Sequence, residues 1–177
     1  MTHVEREAKA SGKEVQFGRV HELCFEKNPE LAPDNPARKF KGRVVFPGNQ
    51  VRDQNWEMAM FQELGSNPAT MGASKACDCF ASLVGNAGGQ ADATAAYTQA
   101  ELKGTETWVE LPRHNWPIQW EGKFTRLCCP LLLALYGHPD AGGYWEQHCE
   151  NHLLSVGFSR PFPDWPSCYW HEVLGLF

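Results

Sequence analysis

The chain has 177 residues, 16 of them Lys or Arg and 21 Asp or Glu, for a formal net charge of −5. At 42% apolar and 21% charged, it can bury the core of one domain; disorder and two large domains are both excluded. No apolar run approaches the ~18 residues that cross a bilayer, and residues 1–30 hold no signal-peptide core, so the sequence predicts an intracellular protein without a membrane span, cytoplasm and nucleus undistinguished.

Residues 1–13 are charged and small without periodicity and predict a loose N-terminal segment. The rest, 14–177, reads as one α+β domain. From Glu14 to Phe25 apolar residues alternate irregularly (Val15, Phe17, Val20, Leu23, Phe25), which predicts short strands. Asn28–Ala37 carries three prolines and predicts a loop. Phe40–Phe46 predicts a strand closed by Pro47-Gly48-Asn49, and its two-residue period places Lys41 and Arg43 on one face. The positive charge of the chain gathers here: residues 1–52 carry +3 and residues 53–177 carry −8, with Arg38, Lys39, Lys41 and Arg43 clustered. A net acidic chain can therefore hold a local anion site.

Asn67-Pro68 pairs a capping residue with proline and predicts a helix over 68–84, burying Met71, Ala76, Cys79, Phe80 and Leu83. After Gly88-Gly89 comes a short strand-like segment, Gln90-Ala91-Asp92, then a helix-permissive, alanine-rich stretch over 93–102. Thr107–Leu111 predicts a strand, and 112–122 a loop of tryptophan and proline. The apolar run 124–135 fits strand or helix equally. Asp140 caps a helix predicted to reach Gly157, with Trp145, Cys149, Leu153 and Val156 as its apolar stripe. Residues 167–177 predict a hairpin whose last strand is apolar to Phe177, which suggests a truncated domain.

Asp92 stands where strand meets helix. A carboxylate at a strand end can hold a metal beside a phosphate; a helix N-cap aspartate is the plainer alternative. Lys41 and Arg43 can clamp a triphosphate by charge and bidentate hydrogen bonds, or be the solvated cations of an edge strand. His148 and His152 have a metal-compatible spacing, but the order His-Cys-Glu-Asn-His is not that of a zinc protease. Cys77-Asp78-Cys79 is too tight for a zinc knuckle, and Cys128-Cys129 are adjacent. The other two cysteines, 24 and 168, complete an odd, irregular set, expected as reduced thiols. Neither a Gly-x-Ser-x-Gly elbow nor a phosphate loop is present.

Taken in order, five segments resemble the reverse transcriptase of Ty1/copia-type LTR retrotransposons. They are Lys41-Gly42-Arg43-Val44-Val45; Gln90-Ala91-Asp92-Ala93-Thr94-Ala95-Ala96-Tyr97-Thr98-Gln99-Ala100-Glu101-Leu102; Trp108-Val109-Glu110-Leu111-Pro112; Ala134-Leu135-Tyr136-Gly137 with Ala141 and Trp145; and Leu153–Phe158 with Pro166-Ser167-Cys168-Tyr169. The likeness runs collinearly over about residues 38–170. It implies the fingers and first part of the palm of a right-hand polymerase, an RNA-directed DNA polymerase (nucleotidyltransferase) acting on an RNA or DNA template-primer and deoxynucleoside triphosphates with Mg2+. By that resemblance Asp92 is the first catalytic, metal-holding aspartate and Gln90–Asp92 the palm strand. Lys41 and Arg43 grip the triphosphate, Tyr97 lies under the incoming sugar, and the stretch from Tyr136 to Trp145 lines the template and nucleotide pocket.

The departures bear on activity. The family carries an Asp-Asp pair soon after the Pro-Ser-x-Tyr segment, and no Asp-Asp dipeptide occurs in these 177 residues. Leu132-Leu133 stand where the family has Lys-Lys, and Gly142-Gly143 where it has Pro-Arg. One carboxylate cannot hold two divalent ions, so the sequence predicts a transposable-element fragment that does not polymerise. Two alternatives stay open: a non-catalytic nucleic-acid or protein-binding module of the same fold, and a small zinc-binding protein using the cysteines with His148 and His152.

Overall fold

The alternation read in the sequence becomes two separate sheets. The computed structural model describes residues 3–61 and 66–177. Its elements are α1 (His3–Ser11), β1 (Val15–Arg19), β2 (His21–Lys27), β3 (Lys39–Val45), β4 (Arg52–Asp53), α2 (Met71–Ala81), β5 (Glu106–Glu110), β6 (Cys128–Pro130) and α3 (Ala141–Ser155), joined by loops and short 3₁₀ turns. One sheet has the order β4-β1-β5-β6; the other is the two-stranded ribbon β2-β3. The fold is thus mixed α+β. Among the described residues no helix is long and apolar enough to cross a membrane.

In the larger sheet β1 runs parallel to β5, from Val15 opposite Glu106 to Arg19 opposite Glu110, while β4 and β6 pair antiparallel on the outside. Val15 and Phe17 point to one face and meet Ala8 of α1, with Val4 and Trp108 against them. The other face carries the main core: Val20, Phe46, Val51 and Val109, packed by Ala59, Phe61, Leu111, Leu131 and Leu135. Gln16 is buried on that side but satisfied. Its amide donates to the Met60 carbonyl at 3.0 Å and its oxygen accepts from the Thr107 hydroxyl at 3.3 Å, as buried polar groups require. Phe46 fills the space above Gly18, where any Cβ would overlap its ring.

Phe46 also fixes the turn that follows β6. Its N–H donates to the Tyr136 carbonyl at 2.7 Å. Gly137 has φ +88°, and a Cβ there would overlap the Phe46 carbonyl oxygen, so only glycine fits. The end of β3 and the Tyr136 turn are therefore locked together. A second cluster, Ala100, Ala134, Ala141 and Tyr144 with Tyr97 and Leu102, ties the 93–102 stretch to α3. Two further bonds hold it: Ala134 N–H to Ala100 O at 2.8 Å, and the Tyr144 hydroxyl to Lys103 O at 2.8 Å.

The structure departs from the sequence expectations in five places. The N-terminal segment expected to be loose is helical over His3–Ser11, held on the sheet through Ala8 and by the Glu5–Arg126 pair at 3.8 Å. α2 starts later and ends earlier than 68–84: Thr70 is its N-cap, its hydroxyl accepting from the Ala73 N–H. Ala73 is its buried residue, whereas Met71 and Leu83 are exposed. Gln90–Asp92, expected as a palm strand, is irregular; β1 and β5 each already have neighbours on both sides, so no central ladder is open to it. The 93–102 stretch supplies one 3₁₀ turn, Ala96–Gln99, rather than a helix. Finally, the hairpin over 167–177 reduces to a single bridge, His171 with Leu176, with Val173 and Leu174 exposed. α3 runs close to its expected limits, but its buried residues are Ala141 and Tyr144, and Val156 is half exposed.

Candidate functional site

The ribbon β2-β3 pairs seven residues on each side, from His21 opposite Val45 to Lys27 opposite Lys39. Directly opposed residues share a face, so Leu23, Phe25, Lys27, Lys39, Lys41 and Arg43 lie together. The other face holds Glu22, Cys24, Glu26, Phe40 and Val44. All the lysines and the arginine of the two strands are thus on one side, and the carboxylates on the other.

The acidic face is where the ribbon is tied down. Arg38 grips both oxygens of Glu26, at 2.6 and 3.2 Å. Glu22 accepts from the Asn115 amide and contacts His114 at 3.3 Å, so the loop after β5 braces β2. Asn115 and His114 hold the Glu22 carboxyl below its ordinary range, and Arg38 does the same for Glu26. On the basic face, neither Lys41 nor Arg43 pairs with a carboxylate among the described residues.

A cleft of about 650 Å³ opens between that basic face and the body of the protein. Lys41 and Arg43 of β3 form one wall. Residues 92–98 form the opposite one, and Leu135 and Tyr136, with Trp145 from α3, close the end. All four residues singled out in the sequence, Lys41, Arg43, Asp92 and Tyr97, line this space, as do Tyr136 and Trp145. Three chain segments far apart in sequence are brought together here by the Phe46–Tyr136 lock and the alanine-rich cluster.

Aromatic contacts order the interior. The Arg43 guanidinium lies 5.7 Å from the Phe25 ring centroid and 5.6 Å from that of Tyr136. The Tyr136 ring meets Tyr97 at 4.8 Å, inclined 64°. Tyr97 is carried by the 3₁₀ turn, whose preceding residue, Ala95, has φ 52°, in the left-handed region. Thr98 and Gln99 stabilise that turn by donating to the Ala95 and Thr94 carbonyls at 2.9 and 2.7 Å. Sequence reasoning singled out Tyr97 and placed Tyr136 in the pocket wall. It missed Phe25 as a partner of Arg43, although the alternating pattern of 21–27 puts that ring on the basic face.

The donor set does not fit a pair of divalent ions. Asp92 is the one carboxylate among the residues lining the cleft, it is exposed, and it sits in a loop. Among the described residues no three His, Cys, Asp or Glu side chains come together as a metal site. His148 stacks on Trp145 at 5.8 Å and His152 is exposed one turn on, and α2 and β6 keep their cysteines as free thiols. Comparison with known proteins returns no matching family model, no matching curated protein and no matching solved structure.

Proposed function

We propose that the chain is a fingers-and-palm segment of a copia-type reverse transcriptase, and that the cleft receives a deoxynucleoside triphosphate. What supports this reading is that Lys41 and Arg43 of one motif and Asp92 and Tyr97 of a second, distant in sequence, line one cleft. Lys41 and Arg43 carry uncompensated positive charge toward the space, and an arginine can meet a phosphate bidentately. Tyr97 offers a ring edge that crowds the position of a 2′-hydroxyl. In the family the chemistry is metal-assisted; here Asp92 alone cannot organise a metal pair, so the 177 residues bind the nucleotide without extending a primer.

Titration of the protein with a fluorescent deoxynucleoside triphosphate tests this. Binding is expected, weakened at least about tenfold when Lys41 and Arg43 are both changed to Ala, in line with loss of two charge-assisted contacts. Tyr97→Ala is expected to erase a preference for deoxy- over ribonucleotide. Binding indifferent to both changes sinks the reading, and so does primer extension that depends on Asp92.

One observation favours a second reading, a nucleic-acid-binding module without catalysis. The basic face continues past the cleft to Lys39 and Lys27, farther than a triphosphate reaches. Oligonucleotide binding that survives Tyr97→Ala but falls steeply with salt favours this alternative.

A further inference from the structure

Resting on the triphosphate reading, the geometry points to Tyr136 as the positioning residue that couples the phosphate-gripping cation to the sugar-facing tyrosine. Three observations carry it. Arg43 is held between two rings, Phe25 and Tyr136, with no carboxylate among the described residues to orient it. An arginine on an exposed ribbon otherwise samples many rotamers, and each one lost on binding costs affinity. Stacking against Tyr136 fixes the plane of the guanidinium in advance while leaving its N–H groups free for phosphate.

The same Tyr136 ring makes a T-shaped contact with Tyr97, centroids 4.8 Å apart. Phe25, Arg43, Tyr136 and Tyr97 thus form one continuous stack spanning the cleft from ribbon to wall. The backbone of Tyr136 is itself held in place. Its carbonyl accepts from Phe46 N–H at 2.7 Å, and the following Gly137 sits tight against Phe46. A ring carried on this fixed backbone therefore sets both the cation on the exposed ribbon and the tyrosine on the 3₁₀ turn. Tyr136 acts through its ring on these two residues; the hydroxyl has no part in the device.

The test is a double-mutant cycle read by nucleotide affinity. Tyr136→Phe is expected to bind within about twofold of wild type, because the ring remains. Tyr136→Leu is expected to lose about fivefold in deoxynucleotide affinity, typical of one cation–π contact, and to lower the deoxy-over-ribo preference as well. In an Arg43→Ala background Tyr136→Leu should cost less triphosphate affinity than in wild type, only the part that acts through Tyr97 remaining, since contacts that act through one another are not additive. Full additivity overturns the coupling, and so does a loss in Tyr136→Phe equal to that in Tyr136→Leu.

A second readout needs no nucleotide. The Arg43 Nε–H resonance should carry a ring-current shift that Tyr136→Phe keeps and Tyr136→Leu reduces. If wild type binds no nucleotide, the triphosphate reading fails, and this resonance alone decides the coupling: an unchanged shift in Tyr136→Leu overturns it. Should Tyr136→Leu fail to fold, Phe25→Leu and Arg43→Lys probe the same stack from its exposed end. Each is expected to reduce affinity and to change the Tyr97 ring signals; silent Tyr97 signals in both overturn the coupling.

Discussion

The four-stranded sheet and the two-stranded ribbon are made of similar short strands, yet they are stabilised in opposite ways. In the sheet, Val15, Phe17, Val109 and the neighbouring Phe46 and Val51 are all nearly inaccessible to solvent, so burial of apolar surface holds the strands together. In the ribbon, Leu23, Phe25, Phe40 and Val44 are between 43% and 74% exposed. Its shape comes from the backbone ladder, from Arg38 and Glu26, and from the brace on Glu22. The comparison separates two tasks. The sheet makes the fold, and the ribbon, freed from packing, carries a row of cations that no carboxylate among the described residues neutralises.

The largest expected effect breaks the sheet side. Phe46→Ala removes a side chain that is 1% exposed and at the centre of the main cluster. It should cost about 3–5 kcal/mol in urea unfolding. Phe40→Ala, on a ribbon residue 74% exposed, should cost no more than about 0.5 kcal/mol. Comparable losses in the two variants would erase the distinction between sheet and ribbon.

A pH titration of stability sharpens it from the same side. His138 is buried between Phe46 and Phe61, with ring centroids 5.1 and 5.2 Å away. Its Nδ1 accepts from the Asp140 N–H at 3.2 Å, and Nε2 has no partner among the described residues. Burial holds the imidazole below its ordinary range, opposed in part by Asp140. The unfolded chain therefore takes up this proton first as pH falls. Stability is complete above the ordinary imidazole pKa, near ~6.5, and declines below it by at most about 1.4 kcal/mol per pH unit. Denaturant melts at pH 7 and pH 5.5 should show that decline in wild type, and His138→Phe should flatten it. The ribbon carboxylates do not interfere in this window, because Glu22 and Glu26 are held below their ordinary range and give up their share of stability only at lower pH. A smaller effect is expected at α2, where Thr70→Ala removes the hydroxyl that accepts from Ala73 N–H at 3.2 Å and should cost about 1 kcal/mol.

How much of this was visible in the sequence follows the same division. β3, β5 and α3 announce themselves through alternation, a closing Pro-Gly and an aspartate at the N-cap position, Asp140, all local signals, although the Asp140 side chain makes no capping hydrogen bond. α1 does not, because its contact with the sheet is only Val4 and Ala8, too thin a stripe to register as a period, and its buried Glu5 answers to Arg126, distant in sequence. The segment Gln90–Asp92 looks like a strand only if a partner edge is granted, and pairing is a property of the whole sheet. The four candidate residues could be named from motif and charge. Their convergence, and the stack through Phe25 and Tyr136, depend on Phe46 seating Gly137, a long-range contact that no window of sequence contains.

The smallest expected change in stability is the most informative about function. Lys41→Ala together with Arg43→Ala should leave the unfolding midpoint within about 0.5 kcal/mol of wild type, since neither side chain is buried or ion-paired. The gain from removing like charges along one ribbon face offsets the loss of the Phe25 and Tyr136 contacts. A ribbon kept for structure would lose stability in that variant, and its affinity for anions would be incidental. A ribbon kept for binding should do the reverse, with an unmoved melt and triphosphate affinity lowered at least about tenfold. Because the two outcomes are read from the same purified protein, one preparation distinguishes them. Where Lys41 and Arg43 prove neutral to folding and essential to binding, their uncompensated charge marks the site.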